Sequence, residues 1–548
     1  MAELYPILAG AAAAPGAADE VGGKAWNLMR LAGAGLKVPP AFVLPTAWRG
    51  RLEPPPAPCR PVEDRRATLD RGIRLLEAAT GLGFGASRRP LLVSVRSGAA
   101  VSMPGMMETV LDVGFNANTV EGLIRLTGNP RLAWDSYRRL IQGYSDVVAA
   151  LPVPPFDDLV AKALAIAGAQ TEGELDFRDL RALTRAMLET YGALAGRAFP
   201  DDPREQLADA VTAVFASWNA HKAVAYRRLN GIADSAGTAV TVQTMVYGNA
   251  GGGSGSGVAF TRNPATGAKS LYFDFQFNAQ GEDVVAGRQR LADDARLRVA
   301  LPEVWARLAE IRGQLEALFG DAQDFEFTVQ SGVLFLLQTR RAKRTPWAAV
   351  AMAVDMVAEG LITPARALAR LDSIDLAAVA RTHFAPPEPD TLAVAQVASL
   401  GVASGAMALD AEAAARLVKA GPVILVRRET ATSDIDGLAL ASGLLTGSGG
   451  RTSHAAVVAR QLGKVCLVAC PGLTIDLERR ICRIWGVVIR EGDFIALNGE
   501  TGQVHAGRLD IVVERPVAAL AVIAGWRRAA SKVGSGKPAS GKSTAGRP

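Results

Sequence analysis

The chain has 548 residues, enough for roughly two to four domains. Hydrophobic residues make up 49% and charged residues 21%, which excludes global disorder, and no apolar run reaches the roughly 18 residues of a membrane span. The net charge of +6 does not point to nucleic acid. Arg527, Arg528, Lys532, Lys537, Lys542 and Arg547 follow residue 526 with no acid among them and account for all of it.

Residues 1–15 lack the basic start of a secretory signal. Cys59, Cys466, Cys470 and Cys482 form no CxxC pair; Cys466 and Cys470, in one apolar run, read as small core residues with a metal site as the lesser alternative, and a reducing cytoplasm is expected. Gly22-Gly23-Lys24 precedes an amphipathic helix pattern. Such a start can set backbone N–H groups and an ammonium on a phosphate. Val38–Leu44 reads as entry into a buried strand, and residues 50–64 as a surface loop rich in Pro and Arg. Leu91–Ser97 is a β run with Arg96 near its end, beside the glycine loop 98–105, where a guanidinium can clamp a phosphate in two-pronged fashion.

Residues 121–228 carry helical spacing, with their aromatics read as core. From 238 the chain turns β-rich. Gly248–Gly257 holds six glycines between two strand patterns and reads as a hairpin lid able to fold amides over a polyphosphate. Asp324–Gln330 alternates strictly, Ser331-Gly332 makes a tight turn, and Val333–Arg340 returns. Asp324, Glu326 and Thr328 share a face, and Gln338 and Arg340 close the second strand. Two carboxylates and an amide oxygen on adjacent strands can hold Mg²⁺ against nucleotide phosphates.

Residues 346–390 read as a helical connector ending in prolines, and 391–515 as a compact α/β unit. Within that unit, Gly449-Gly450-Arg451-Thr452-Ser453-His454 leads into a small apolar run with helical spacing. A histidine at a helix start can take a phosphoryl group on its imidazole while the free N–H groups hold the oxygens. The chain has four histidines, and a lone histidine is more often structural than catalytic. The tail is rich in Gly, Ser, Lys and Pro and reads as disordered from Ala529. Its Gly536–Ser543 matches the GxxxxGKS pattern, but no apolar strand precedes it, so it reads as a chance P-loop match.

Assembled in order, these stretches resemble the pyruvate, phosphate dikinase family of phosphoenolpyruvate-utilising enzymes. The matching segments are Gly22-Gly23-Lys24, Ser94–Gly98 with Ser102–Met107, Asp135–Arg139, Gly257–Pro264, Asn278–Gly287, Phe325–Phe327 with Leu337–Arg340, and Gly449–Arg460. The resemblance implies an α/β and α+β multidomain chain. An ATP-grasp-type nucleotide domain would fill 1–345, with a helical subdomain at about 121–228. A hinge would follow at 346–390, a swivelling phosphohistidine domain at 391–515 and a basic flexible tail at 516–548.

It further implies that Lys24 and Arg96 hold ATP phosphates and that Gln243 and Met245 lie by the adenine. Asp324, Glu326, Gln338 and Arg340 would hold Mg²⁺ and phosphates. His454 would accept the β-phosphoryl group, leaving AMP, while the γ-phosphate passes to inorganic phosphate as pyrophosphate. Thr452 matches a position phosphorylated for regulation in plant members. Family members continue into a large barrel that binds pyruvate or phosphoenolpyruvate, and the resemblance here stops near residue 515. The acceptor half is therefore expected on a separate barrel protein, with no nucleic-acid or membrane partner and with the oligomeric state open. The alternatives are a non-catalytic nucleotide-binding or regulatory paralogue, a donor half that uses water as phosphoenolpyruvate synthase does, and a dikinase cut short.

Overall fold

Two antiparallel sheets carry the first half of the chain. In the computed structural model, residues 4–11, 18–51, 63–101, 103, 106–281, 294–386, 389–429, 435–448, 458–459 and 462–534 are described. The first sheet runs in the order Tyr5–Ile7, Ala41–Leu44, Ala239–Thr244, Val93–Gly98, Thr109–Val113. Period-two alternation gives it two buried faces. Phe42, Leu44, Val93, Val95, Val240 and Val242 turn into one core, which the helices between Ala117 and Leu229 complete. Ala41, Val43 and Ala239 belong to a second core with the helix Ala18–Gly33.

The second sheet runs Val333–Arg341, Gln323–Gln330, Gly255–Phe260, Tyr272–Phe277. Its apolar face carries Phe275, Phe325 and Phe327 into that second core. The opposite face is polar, with the Ser256 and Thr328 hydroxyls 3.0 Å apart. The turn expected at Ser331-Gly332 is present, with positive φ at both residues (50° and 79°), as a two-residue type I′ hairpin requires.

Residues 117–229 are almost wholly helical. Six α-helices run from Ala117 to Leu229. Asn116 and Asp176 each start a helix with a capping box, so the breaks follow from local side-chain chemistry.

The connector differs in part. Pro346–Ala358 and Pro364–Leu371 are helices, but Arg381–Phe384 is a strand paired antiparallel with Ile511–Glu514. A partner about 130 residues away cannot be read from a helical, alanine-rich stretch. The tail also departs from expectation. Val517–Gly534 is a helix, where flexibility was expected over 516–548. Ala519, Leu520, Ile523 and Trp526 recur at helical spacing and pack on Val350, Met356, Ala367 and Leu371 of the connector. Burial of that stripe outweighs the basic composition that follows it. The P-loop-like 536–543 stretch lies outside the described residues.

The C-terminal unit is an eight-stranded sheet whose middle strands, Val402–Ala408, Val423–Arg427, Gly443–Thr446 and Val465–Val468, are mutually parallel. Cys466, Cys470 and Cys482 are buried free thiols, in line with the core reading of Cys466 and Cys470. Among the described residues no helix is long and apolar enough to cross a membrane.

Candidate functional site: a cleft between two sheets

Lys24 owes its position to Gly22. The helix Ala18–Gly33 breaks at Gly22 (φ 76°, ψ 157°), and Lys24 starts the second segment. A Cβ on Gly22 would stand 2.0 Å from the Gly98 carbonyl oxygen, while the Gly23 N–H donates to the Ala99 carbonyl at 3.2 Å. The glycine pair is thus seated on the loop that follows Arg96, so the two phosphate-binding candidates are positioned by one contact. Gly22→Ala combines that clash with a left-handed φ. It is expected to cost about 2 kcal/mol or more, measured by denaturant unfolding.

Arg96 faces the polar side of the second sheet. Its Nη2 lies 3.8 Å from Glu326 Oε2, with both side chains about a quarter exposed. Glu326 Oε1 accepts from Gln338 Nε2 at 3.3 Å. Asp324 Oδ2 accepts from Arg340 Nε at 2.7 Å. Asp324 is buried and its Oδ1 has no hydrogen-bond partner. Burial, reinforced by the Glu326 charge, raises its pKa against the pull of Arg340.

Lys24 completes the ring. It opens to the water of the cleft, yet protein surrounds its ammonium. That desolvation, with the Arg96 charge, lowers its pKa to about 8 against the pull of Glu326. Lys24, Arg96, Asp324, Glu326, Gln338 and Arg340 therefore share one cleft.

A β-bulge makes this possible. Phe327 pairs with Leu336 but Glu326 pairs with Gln338, so Leu337 is the extra residue. Leu334 and Leu336 point into the core, and simple alternation would send Gln338 and Arg340 after them. The bulge re-aims both onto the cleft face, opposite Glu326 and Asp324.

Gln243 and Met245 lie along the strand from the charged ring: Arg96 pairs with Thr241 and Ser94 with Gln243, and Met245 comes two residues after Gln243.

 Gln243 is buried and its Nε2 donates to the Pro39 carbonyl at 3.2 Å. Met245 follows that strand, and its N–H donates to the Leu92 carbonyl at 2.9 Å.

His454 and Thr452 lie outside the described residues. The chain that carries them connects the parallel neighbours Gly443–Thr446 and Val465–Val468. His505 is a buried structural residue, with Nδ1 3.0 Å from the Pro389 carbonyl and its ring edge-on to Phe384.

The glycine lid reads differently in three dimensions. The strand begins at Gly255, ahead of the expected Val258. A Cβ on Gly255 would meet the Phe275 ring at 2.3 Å, and one on Gly257 would meet Phe327 at 2.6 Å. These two glycines make room for the stacked Phe275–Phe327 pair. Open space surrounds Gly251 and Gly252, at the loop tip.

One polar cluster was given no role from the sequence, where the aromatics of 133–140 were read as core and Asp135–Arg139 only as part of the family resemblance. Buried Asp135 accepts from Arg138 Nη2 at 2.7 Å, Arg139 Nε at 3.2 Å and Asn249 Nδ2 at 3.0 Å. The arginine charges hold its carboxyl below the usual range against the opposing effect of burial. The cluster borders a cavity of about 240 Å³ that also meets Arg131, Gln276 and Asn278. The i, i+3, i+4 spacing of Asp135, Arg138 and Arg139 was the available signal.

Two family models match the chain. "Pyruvate phosphate dikinase, AMP/ATP-binding domain" covers residues 67–306, and "PEP-utilising enzyme, mobile domain" covers residues 419–502. Pyruvate, phosphate dikinase of Clostridium symbiosum is 42% identical over 496 residues, 89% of this chain and 56% of that protein. The protein of that name from Rhizobium meliloti strain 1021 is 41% identical over 526 residues, 92% of this chain and 58% of its own length. Pyruvate, phosphate dikinase 2 of Zea mays is 42% identical over 498 residues, covering 89% and 55%. The chain thus spans a little over half the length of these relatives.

Proposed function

For this chain, which belongs to the pyruvate, phosphate dikinase family over its AMP/ATP-binding and mobile domains, we propose that ATP phosphorylates His454 and leaves as AMP. The observation that carries the reading is the convergence of three cations and two carboxylates on one cleft, with Asp324 Oδ1 left unpaired inside it.

The cations answer the polyphosphate. Arg96 and Arg340 offer forked N–H donors, and Lys24 a point charge. The orphaned Asp324 oxygen, the Glu326 carboxylate and the Gln338 amide oxygen fit a divalent cation. Among the described residues no group of three or more His, Cys, Asp or Glu side chains could hold a metal alone. The two carboxylates present suit Mg²⁺, which is usually held by one or two carboxylates plus substrate phosphates. When bound there, Mg²⁺ would supply charge neutralisation across the phosphates.

The His454 imidazole attacks the β-phosphorus. A nitrogen–phosphorus bond forms, the bond from the β-phosphorus to the α–β bridging oxygen breaks, and AMP departs with that oxygen. Inorganic phosphate then takes the γ-phosphoryl group as pyrophosphate, leaving phosphohistidine. The segment bearing His454 leaves the C-terminal end of Gly443–Thr446, the edge at which parallel sheets present their ligand sites. Gln243 and Met245 would flank the adenine, and Thr452 would be the modifiable neighbour of the phosphohistidine. The onward acceptor, pyruvate in the relatives' name, would be bound by a barrel on another polypeptide segment.

The test is product analysis with ATP, Mg²⁺ and phosphate. One AMP and one pyrophosphate per protein are expected in a single turnover, and none from His454→Ala. ADP as the product would overturn the reading. Release of the γ-phosphoryl group as inorganic phosphate, with no pyrophosphate formed and no need for added phosphate, would make water the second acceptor. ATP binding with no AMP, unaffected by His454→Ala, would favour the non-catalytic paralogue.

Lys24 gives a further prediction. Its pKa is depressed from 10.5 to about 8, so the unfolded state binds more protons between those values. The burden on stability is full below pH 8 and is relieved as pH rises to about 10.5. Lys24→Met is therefore expected to raise the melting temperature of the ligand-free protein at pH 7, with the gain shrinking across that window. Wild-type ATP affinity is expected to fall above pH 8 as the ammonium loses its proton. A pH series of melting curves and titrations checks both.

A further inference from the structure

A second concentration of positive charge lies away from the cleft, at the C-terminus of the helix Pro302–Phe319. Arg30 Nη2 donates to the Leu318 carbonyl at 2.6 Å and Arg366 Nη2 to the Phe319 carbonyl at 3.1 Å, and Arg370 donates to the Gly320 carbonyl. Asp321 gathers more. Arg344 Nη1 stands 2.8 Å from its Oδ1, Arg341 Nε 3.0 Å from its Oδ2 and Arg370 Nη1 3.5 Å from its Oδ1. Helix capping explains part of this, since cations favour a helix C-terminus.

Capping does not account for all of it. Five guanidiniums face Asp321, Asp372 and a helix end worth about half a negative charge. Positive charge is left over by about two and a half units on that tally. Burial, followed by the Arg366 charge, lowers the pKa of Arg30. Arg341 remains 60% exposed beside its single carboxylate, and Arg366 is exposed as well. Each guanidinium has five N–H donors, more than these contacts use.

The excess borders an open cavity of about 690 Å³, lined by Asn27, Gln323, Arg341, Arg366, Arg370 and Ser373 among others. Three elements meet there: the helix that carries Lys24, the end of the acidic hairpin and the connector helix Pro364–Leu371. Arg340 and Arg341 are successive residues of one strand, so they project to opposite faces. The cavity is therefore distinct from the cleft.

We propose that this cavity is a second anion site, which takes a small phosphate-bearing molecule on Arg341, Arg366 and Arg370. The ligand bridges the nucleotide-binding half and the connector helix. Guanidinium forks suit phosphate oxygens, and the Ser373 side chain borders the same cavity.

Pyrophosphate serves as the probe. The cleft is first weakened with Arg96→Ala, so that binding there does not mask the second site. Calorimetric titration of the Arg96→Ala protein is expected to show one pyrophosphate site that weakens as salt is raised. Adding Arg341→Ala and Arg366→Ala is expected to weaken that site at least tenfold. Both side chains are exposed, and an unchanged far-ultraviolet spectrum and melting curve will confirm the fold. Absence of binding to Arg96→Ala, or equal affinity in the triple variant, would overturn the proposal. Neither result bears on His454 phosphorylation, which product analysis tests separately.

Discussion

Replacing Glu326 with glutamine is expected to slow AMP formation by about 10²–10³-fold, the scale of a several-kcal/mol loss of Lewis-acid stabilisation. The substitution keeps the shape and the reach toward Gln338 Nε2 but removes one of two carboxylates opposite three cations. A cation site left with Asp324 and an amide holds Mg²⁺ less tightly, so the Mg²⁺ concentration for half-maximal rate is expected to rise as well. Metal-free ATP should bind at least as well, because the remaining charge in the cleft is more positive. Single-turnover AMP formation across a Mg²⁺ series, beside binding of ATP in EDTA, separates the two effects. A parallel loss of metal-free binding would show that Glu326 acts structurally.

Arg340→Ala and Arg96→Ala are expected to diverge, although both remove a cation from the same cleft. Arg96 meets Glu326 at 3.8 Å with both side chains partly exposed, so its loss should leave stability within about 1 kcal/mol. Arg340 holds the buried Asp324 at 2.7 Å, and its removal strands a desolvated carboxylate. Because Arg340 is itself 36% exposed, the cost should be about 1–3 kcal/mol, below that of breaking a fully buried pair.

The pH dependence follows from Asp324. Its pKa is already raised by burial and would rise further without Arg340. The folded protein then binds the proton more tightly than the unfolded chain, so the deficit of Arg340→Ala is smallest near pH 4 and grows as pH rises. Both variants should slow AMP formation by about 10²–10³-fold, the scale of losing a preorganised charge donor. Urea unfolding at pH 4.5 and 7, with single-turnover rates, tests the pair. Equal stability of the two variants at pH 7 would contradict the assignment of Asp324 to Arg340.

Much of the cleft was legible because its signals are local. The alternation of Asp324 and Glu326 with phenylalanines puts both carboxylates on one face, and Ser331-Gly332 sets the hairpin turn. The capped helices of the insert announce themselves in the same way. What sequence left unread depends on partners far along the chain. The bulge at Leu337 reverses the parity of the second strand, and only the pairing with Gln323–Gln330 reveals it. Gly255 and Gly257 read as lid flexibility, while their role is clearance for the Phe275 and Phe327 rings. The helix Val517–Gly534 was hidden by the basic composition around it, since its stability comes from an apolar stripe on the connector. Asp135, Arg138 and Arg139 were present at helical spacing, but the partner that joins them, Asn249, is 114 residues away.

The central claim is that the β-phosphoryl group of ATP passes to His454. The most direct measurement compares ATP labelled in the β-phosphate with ATP labelled in the γ-phosphate. Each is incubated with the protein, Mg²⁺ and inorganic phosphate, and the quenched protein is mapped by peptide. The account predicts acid-labile, base-stable label on the peptide containing His454 from β-labelled ATP alone, with γ-label recovered as pyrophosphate. Label from γ-labelled ATP remaining on the protein once phosphate is present, or β-label undiminished in His454→Ala, would contradict it.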